Sequence, residues 1–334
     1  MKKIALEEHF VRPDLLDYNQ RGVGSTPAEF IARVMGDLLD LGEGRLAIMD
    51  AARIDVSVLS HFSPGIQMEP DPAAAQRIAR EVNDLLATSI APWPKRFYGF
   101  AHLSMHDGKA AAAELDRCVN QLGFKGALIN GHTMGVYLDD PGLLPFWERA
   151  EALGVPIYLH PAFPMQHIDV LQDYPGLEGA TWGWMAETGG HALRLIFSGL
   201  FDRFPGLNVV LGHMGEALPF LIARIDRGYQ FHKRKIELQR LPSDYLRDNF
   251  FITPTGVLSN AALRCTIDTV GADRVLFSMD APFEDSLAHS EFIETAPLSH
   301  DEREKICFRN AESLLHLGDL AGASSRPTSL RSMI

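Results

Sequence analysis

The sequence predicts a (β/α)8 barrel, the α/β fold in which eight parallel strands alternate with helices around one core. Short apolar runs rich in Val, Ile, Leu and Phe recur eight times, and the intervals leave room for one helix each. The length of 334 residues suits a barrel of this kind. An open dinucleotide-binding sheet would instead need a GxGxxG fingerprint after the first strand, and the sequence has none there.

The strands and helices are predicted from the period of the apolar residues. Each strand is a short, nearly continuous apolar run, and each helix is a longer amphipathic stretch. The strands are predicted at residues 3–9, 55–60, 96–102, 125–130, 155–160, 207–212, 249–253 and 274–280. The helices are predicted at residues 72–90, 108–122, 143–153, 190–201, 216–227, 260–270 and 301–317.

Two connections are longer than usual for a barrel. Residues 10–42 follow the first strand and residues 161–190 follow the fifth, so we predict insertions at both places. Insertions after strands lie at the C-terminal face, where barrel enzymes build their active sites. The sequence has no internal linker or repeat, so we expect a single domain over residues 1–320. Residues 321–334 contain few large apolar side chains and are expected to form a disordered tail.

Composition excludes several classes of protein. The net charge of −12 argues against a nucleic-acid partner or an anionic membrane surface. No run of 18 apolar residues occurs, so no transmembrane span is expected, and the opening MKKIALEEHF lacks the apolar region of a signal peptide. The three cysteines have no CxxC spacing and are interpreted as reduced thiols. We therefore expect a cytoplasmic protein.

Metal-ligand side chains stand at the ends of four predicted strands. Glu7 and His9 end the first strand, His160 the fifth and Asp280 the eighth, while His213 follows the sixth. Residues i and i+2 of a strand share a face, so Glu7 and His9 are both expected to face the barrel axis. Imidazoles and carboxylates together suit one divalent ion, Zn²⁺ or Mn²⁺. We expect Glu7, His9, His160 and Asp280 to be the ligands, with His213 close by.

Single histidines have a simpler explanation, because an isolated histidine near a strand end is more often a hydrogen-bonded core residue than a ligand. The predicted metal site therefore depends on the whole set. His61, after the second strand, is expected either to line the pocket and contact substrate or to pack in the core. His191 lies in an apolar helical pattern and is expected to be structural.

Six segments carry a resemblance to a known family. They are ALEEH, RFYGFAHLSMH, RCVNQLGFKGALIN, PIYLHP, ETGGHALRLIFSGLFDRFPGLNVVLGHMGEALPF and GADRVLFSMDAPFED. They resemble the amidohydrolase-related, metal-dependent decarboxylases of aromatic acids, a group that includes the γ-resorcylate (2,6-dihydroxybenzoate), 2,3-dihydroxybenzoate and salicylate decarboxylases. The resemblance spans residues 3 to about 317. Its Glu-x-His opening and Asn130, at the usual position of a carbamylated lysine, both favour decarboxylases over hydrolases.

The resemblance implies a role for each site residue. The positions that match the metal ligands are Glu7, His9, His160 and Asp280. His213 and Glu216, in the segment HMGE, are implied to assist near the substrate, with Glu216 holding the histidine tautomer; Glu216 as an ordinary first-turn helix residue is the other interpretation. Arg224, in IARID, is implied to reach the substrate of a neighbouring subunit, so a homodimer or homotetramer is expected. Asn130 is expected to contact the substrate.

The function implied is non-oxidative decarboxylation of an ortho-hydroxybenzoate, a small aromatic carboxylic acid. The carboxylate and the adjacent phenolic oxygen of such a substrate are expected to chelate the divalent ion, and Asp280 is expected to protonate the ipso carbon. No organic cofactor is expected. The main alternative keeps the barrel and the metal but activates water to hydrolyse a lactone or an amide. A non-catalytic binding or structural protein is the third class considered, and retention of every ligand argues against it.

Overall fold

The computed structural model describes residues 1–15, 28–165, 169–174, 176–233 and 237–318. Within these residues, parallel strands pair in sequence order in two sheets, β1-β2-β3 and β4-β5-β6-β7. The strands are β1 (Ile4–Phe10), β2 (Val56–His61), β3 (Phe97–Gly99), β4 (Ala127–Asn130), β5 (Ile157–His160), β6 (Val209–Leu211) and β7 (Phe250–Ile252).

Isolated parallel bridges join the two sheets into a closed barrel. Ala101 pairs with Ala127 and so connects the β3 end of one sheet to β4 of the other. Residues 275–281 occupy the eighth position, which we call the eighth segment. Bridges at Val275 and Phe277 link it to β7 and β1 respectively. The predicted eight-membered parallel barrel is confirmed, but its last strand is held by single bridges where a regular ladder was expected.

Helices surround the barrel. In the described part of the chain they are α1 (Ala28–Leu39), α2 (Glu43–Ala51), α3 (Pro72–Ile90), α4 (Gly108–Asn120), α5 (Leu144–Leu153), α6 (Gly183–Phe197), α7 (Leu200–Arg203), α8 (Leu218–His232), α9 (Pro242–Asn249), α10 (Asn260–Val270), α11 (Ser286–Thr295), α12 (His300–Glu304) and α13 (Asn310–Leu314). Five π-helical residues connect α12 to α13. None of the described helices is both long and apolar enough to cross a lipid bilayer.

Three predicted helices differ from the structure. The one expected at residues 301–317 is divided into His300–Glu304 and Asn310–Leu314 by five π-helical residues. The helix expected at residues 190–201 begins at Gly183, seven residues earlier, and ends at Phe197. The chain turns sharply before it: a Cβ on Gly183 would lie 2.0 Å from the carbonyl oxygen of Glu178, so only glycine fits there. The helix expected at residues 216–227 begins at Leu218, because the preceding residues adopt left-handed backbone angles.

The barrel interior is filled by one or two side chains from each of the eight positions. They are Ile4, Leu6, Val56, Val58, Phe100, Leu128, Tyr158, Val210, Phe251 and Leu276. Alternate residues of the same strands, such as Ala127 and Ile129, point outward and pack under the helices in a second, larger cluster. Both faces of the strands are therefore apolar, as expected for a parallel barrel.

A β-bulge in β1 changes which residues face the interior. Ile4 pairs with Val56 and faces the barrel core, yet the register shifts between Ala5 and Glu8, so that Glu8 pairs with Leu59. Without this shift, alternation from Ile4 would have turned Glu8 toward the interior. The bulge instead brings Glu7 and His9 to the inner face at the C-terminal end of the strand, as predicted from the sequence.

The insertions and the tail fall partly outside the described residues. Residues 16–27, in the first predicted insertion, and residues 166–168 and 175, in the second, are not among them. The same holds for the predicted domain boundary at residue 320 and for the predicted tail at residues 321–334.

Candidate active site

Three side chains from the C-terminal ends of β1 and β5 meet in the barrel mouth. Ligand atoms of Glu7, His9 and His160 all lie within 4.8 Å of one another, and all three residues are buried. His160 Nε2 lies 3.5 Å from Glu7 Oε1. His160 Nδ1 donates a hydrogen bond to the carbonyl oxygen of Pro161 at 3.1 Å, which leaves Nε2 without its proton and directed at Glu7.

Asp280 approaches the same place from the eighth segment. Its Oδ1 lies 3.2 Å from His9 Nε2. The two atoms do not have hydrogen-bond geometry, and both are buried without any hydrogen-bond partner among the described residues. Glu7 Oε1 is equally unpartnered. Three ligand-type atoms thus converge without satisfying one another, which is costly unless another group binds them.

His213 and Glu216 lie in a left-handed turn that directly follows β6. His213, Met214, Gly215, Glu216 and Ala217 all have positive φ, between 49° and 71°. This backbone brings His213 Nδ1 to 2.8 Å from Glu216 Oε1, so the imidazole donates to the carboxylate. His213 Nε2 lies 3.8 Å from Glu7 Oε1. Glu216 is therefore a partner of His213, and it precedes the helix that it was predicted to begin.

Burial keeps two of the histidines neutral. It lowers the pKa of His9 to about 4 and that of His160 to about 3. Burial also acts to lower the pKa of His213, but the charges of Glu216 and Glu7 outweigh it and raise that pKa to about 10. These shifts favour the protonated form of His213, whereas His9 and His160 keep lone pairs that can bind a metal ion.

The two carboxyl groups have opposite pKa shifts. Burial alone would raise the pKa of Glu7, but the nearby charge of His213 outweighs it and lowers that pKa below its ordinary value. Burial and then the charge of Glu7 raise the pKa of Asp280 well above its ordinary value. Glu7 is therefore the group that ionises more readily, and Asp280 is the group that holds a proton more readily. Two carboxyl groups with such opposite shifts are expected in an acid–base site.

The other predicted site residues lie in different surroundings. Asn130 ends β4 next to His160 of β5, and both polar atoms of its buried amide lack a hydrogen-bond partner among the described residues. Arg224 lies on the exposed side of α8. His61 donates from Nδ1 to the carbonyl oxygen of Phe62 at 3.0 Å and accepts from the main-chain N–H of Arg12 at 3.4 Å. Both of its ring nitrogens are thus engaged by the main chain, and its substrate contact stays a prediction.

Several supporting residues were not foreseen from the sequence. The Tyr158 hydroxyl donates to Glu7 Oε2, and Ser60 Oγ lies 3.2 Å from His9 Nδ1. Tyr158 stands two residues before His160, so strand alternation alone could have placed it on the inner face. Phe62 and Phe283 stack with ring centroids 4.5 Å apart, and both rings also meet the His9 ring edge-on. They give one side of the site an aromatic wall.

The chain is similar to proteins of known activity over almost its whole length. The amidohydrolase family model matches residues 26–317. The γ-resorcylate decarboxylase of Rhizobium sp. (strain MTP-10005) is 42% identical over 324 residues, which cover 94% of this chain and 98% of the relative.

Solved structures agree with this similarity. A 2,6-dihydroxybenzoate decarboxylase in complex with 2,6-dihydroxybenzoate superposes with a TM-score of 0.90 at 42% identity, covering 95% of this chain and 99% of the other. A dihydroxybenzoic acid decarboxylase from Polaromonas sp. JS666, with bound manganese and the inhibitor 2-nitroresorcinol, superposes with a TM-score of 0.88 at 40% identity, covering 95% and 97%. The chain belongs to the amidohydrolase family, in the group that contains the γ-resorcylate decarboxylases.

Proposed function

We propose that this protein is a carboxy-lyase that removes CO2 from an ortho-hydroxybenzoate without oxidation, with 2,6-dihydroxybenzoate as the first candidate substrate and 2,3-dihydroxybenzoate and other substituted salicylates as alternatives. One observation carries the proposal: the unsatisfied carboxylate and imidazole atoms of Glu7, His9 and Asp280 converge beside His213. The similarity to decarboxylases over 94% of the chain supports it independently.

The residues present fit a divalent cation. Three buried ligand-type atoms, Glu7 Oε1, His9 Nε2 and Asp280 Oδ1, have no hydrogen-bond partner in the described structure, and the lone pair of His160 Nε2 faces Glu7. We assign Glu7, His9, His160 and Asp280 as ligands. A mixed nitrogen and oxygen set suits Mn²⁺ or Zn²⁺, and the manganese of the Polaromonas relative favours Mn²⁺. When bound, the cation supplies a positive charge that fixes the carboxylate and phenolic oxygens of a 2-hydroxybenzoate.

Asp280 is the proposed proton donor. The leaving CO2 requires a proton on the ring carbon that carried it; the electron pair of the breaking C–C bond then restores the aromatic ring. Asp280 Oδ1 is directed into the site, where this carboxyl group can carry the proton that the step consumes. The carboxylate left on Asp280 is reprotonated from solvent after CO2 and the phenol depart. Since the ring itself accepts the electron pair, we propose that the reaction uses no organic cofactor.

His213 and Asn130 are proposed to orient the substrate. The imidazolium of His213, held by Glu216 at Nδ1, has Nε2–H available for an anionic oxygen of the substrate. The buried amide of Asn130 has a donor and an acceptor free at the end of β4, which suits a second ring hydroxyl. The stacked rings of Phe62 and Phe283 provide an apolar surface for the aromatic ring.

Arg224 is proposed to act in a neighbouring copy of the chain. It shares the outer side of α8 with Phe220 and Phe231, whose side chains are 80% and 74% exposed. Large apolar side chains at such exposure indicate a surface that another molecule covers. We therefore propose a homodimer or homotetramer in which this face meets a second copy and Arg224 contributes to the partner's substrate site.

The hydrolase alternative can be tested directly. Mn²⁺-loaded protein is incubated with 2,6-dihydroxybenzoate, 2,3-dihydroxybenzoate and salicylate while CO2 release is followed, and in parallel with a panel of lactones and amides. We expect CO2 from at least one hydroxybenzoate, loss of activity after chelation and recovery on addition of Mn²⁺ or Zn²⁺. Hydrolysis of a lactone or an amide, with every hydroxybenzoate left intact, would overturn the proposal.

A further inference from the structure

The buried side chain of Glu8 binds the main-chain N–H groups of the two residues that flank Asp280. Glu8 Oε1 accepts the main-chain N–H of Met279 at 3.1 Å, and Oε2 accepts that of Ala281 at 3.1 Å. The Ser278 hydroxyl donates to Oε1 at 3.3 Å. Glu8 is only 1% exposed, so water does not compete for these donors.

The main chain of β1 also binds Ala281. The N–H of His9 donates to the carbonyl oxygen of Ala281 at 2.8 Å, so Ala281 is bound on both sides. Buried Arg45 donates to the carbonyl oxygen of His9 at 2.7 Å and fixes β1 from behind. Glu8, Arg45 and Ala281 also line one cavity of about 290 Å³. Because Glu8 pairs with the outward-facing Leu59, its carboxylate lies behind the strand, away from the substrate side.

Asp280 needs this support because of its backbone. Its φ is +67°, in the left-handed region that residues with a side chain seldom adopt. Such conformations persist where the surroundings over-determine them. The eighth segment has only isolated bridges to its neighbours, so a regular ladder does not provide the constraint. The constraint comes from hydrogen bonds: the N–H groups of Phe283 and Glu284 donate to the carbonyl oxygen of Asp280 at 2.8 and 3.1 Å, and Glu8 binds the N–H groups of the residues on each side of Asp280.

We propose that Glu8 is a positioning residue that holds the Asp280 carboxyl group in the site through the Met279 and Ala281 peptides. Glu8 acts through Asp280 and does not touch the substrate. The part of the inference that concerns turnover rests on the proposed function of Asp280 as proton donor. The part that concerns geometry rests only on the hydrogen bonds.

The test compares Glu8→Gln with a matched variant. Glutamine keeps the shape of the side chain but presents an NH2 group to one of the two N–H donors, so one bond is lost. Asn310→Ala is the control: Asn310 donates to the carbonyl oxygens of Ala272 and Val275 at 2.8 and 2.7 Å, and so anchors the start of the same segment, away from Asp280. Thermal unfolding of both variants measures how much stability the protein loses when either anchor of the eighth segment is weakened.

Three readouts are expected to separate Glu8→Gln from the control. With saturating Mn²⁺, kcat falls about 10- to 100-fold while KM stays near the wild-type value. The solvent deuterium isotope effect on kcat rises, because proton delivery by a displaced Asp280 becomes slower than the other steps. The dissociation constant for Mn²⁺, measured by titration, rises about tenfold or more. In Asn310→Ala all three stay at their wild-type values.

A crystal structure of Glu8→Gln without metal supplies a readout independent of turnover. We expect Asp280 to leave the left-handed region while Glu7 and His9 keep their positions. If Glu8→Gln does not fold, Glu8→Asp replaces it, since the shorter side chain cannot span both N–H groups. Unchanged Mn²⁺ affinity together with an unchanged Asp280 backbone overturns the inference. Absence of decarboxylation by the wild-type protein overturns the proposed function instead, and the metal titration and crystal structure then still decide the role of Glu8.

Discussion

His213 donates a hydrogen bond from Nδ1 to Oε1 of Glu216, three residues later, across a turn that contains only left-handed residues. The bond fixes the orientation of the imidazole, and the charges of Glu216 and Glu7 raise its pKa. A cation is thereby held beside carboxylates at the mouth of the barrel. This pair complements an anionic aromatic acid in a protein whose net charge is −12.

Glu216→Gln should weaken this arrangement without removing the side chain. The loss of the Glu216 charge lowers the pKa of His213 toward its ordinary value, since that charge is the largest influence raising it. We expect kcat/KM for 2,6-dihydroxybenzoate at pH 8 to fall about 10- to 100-fold. Titration of His213 by NMR provides the direct check. An NMR pKa for His213 that matches wild type would show that Glu216 does not control the imidazole.

Asp280→Asn should abolish turnover and leave the barrel intact. The amide cannot deliver a proton to the ring carbon, and general acid catalysis of this kind contributes about 10²- to 10⁴-fold. The substituted side chain would keep a carbonyl oxygen at the cation, so Mn²⁺ binding should weaken less than turnover. Circular dichroism controls for folding, and a wild-type kcat would exclude Asp280 as the donor.

Arg224→Ala should inactivate the site of the neighbouring copy. Mixed with Glu7→Ala, which lacks a proposed ligand, it should regain activity, because one site of each mixed dimer has Glu7 from its own chain and Arg224 from the partner. A one-to-one mixture of a twofold dimer should then reach about a quarter of the wild-type activity. Arg227→Ala, one turn further along α8, is the matched control and should be active alone. No recovery on mixing would show that Arg224 acts within its own chain or has no role in the site.

His191 should make the fold sensitive to acid. It is buried in α6, where its Nε2 accepts the main-chain N–H of Leu138 at 2.9 Å, and burial lowers its pKa to about 3. The unfolded chain binds a proton at this residue near pH 6.5 and the folded chain does not. Its contribution to stability is therefore complete above pH 6.5 and is lost as the pH falls toward 3, at about 1.4 kcal/mol per pH unit.

The measurement for His191 is urea unfolding at several pH values between 6.5 and 5. His191→Gln removes the titrating group and should reduce the dependence of the unfolding free energy on pH by about one proton. His232→Gln, at an exposed position of α8, is the control and should leave that dependence unchanged. Equal slopes for wild type and His191→Gln would show that the ring is protonated alike in both states.

Most of the barrel could be predicted from the sequence, because the patterns that indicate its strands and helices lie within short stretches of the chain. The helices Pro72–Ile90 and Asn260–Val270 have the predicted boundaries, since an aspartate or a serine caps each N-terminus and the apolar period is regular. The expected ligands come together because the C-terminal ends of parallel strands meet at one mouth. Each of these features follows from neighbours in the chain or from the symmetry of the fold.

The remaining features depend on contacts between distant residues. The bulge in β1 is stabilised by Ser278, whose Oγ accepts the N–H groups of both Leu6 and Glu7, at 3.2 and 2.6 Å. No residue near position 7 in the sequence predicts this bulge. The role of Glu8 likewise depends on peptides more than 270 positions away. The left-handed turn contains one glycine, Gly215, among five residues, so glycine content could not have revealed it.

The turn from His213 to Ala217 also has a consequence for how this protein can evolve. Its four residues with side chains each cost about 1–2 kcal/mol in the left-handed region, so the turn costs about as much as the whole net stability of a marginal domain. Mutations that relax the turn would yield a more stable protein in which His213 is misplaced. Only selection for turnover preserves such a turn against this drift. A lineage released from that selection should lose the turn early, while the barrel around it persists.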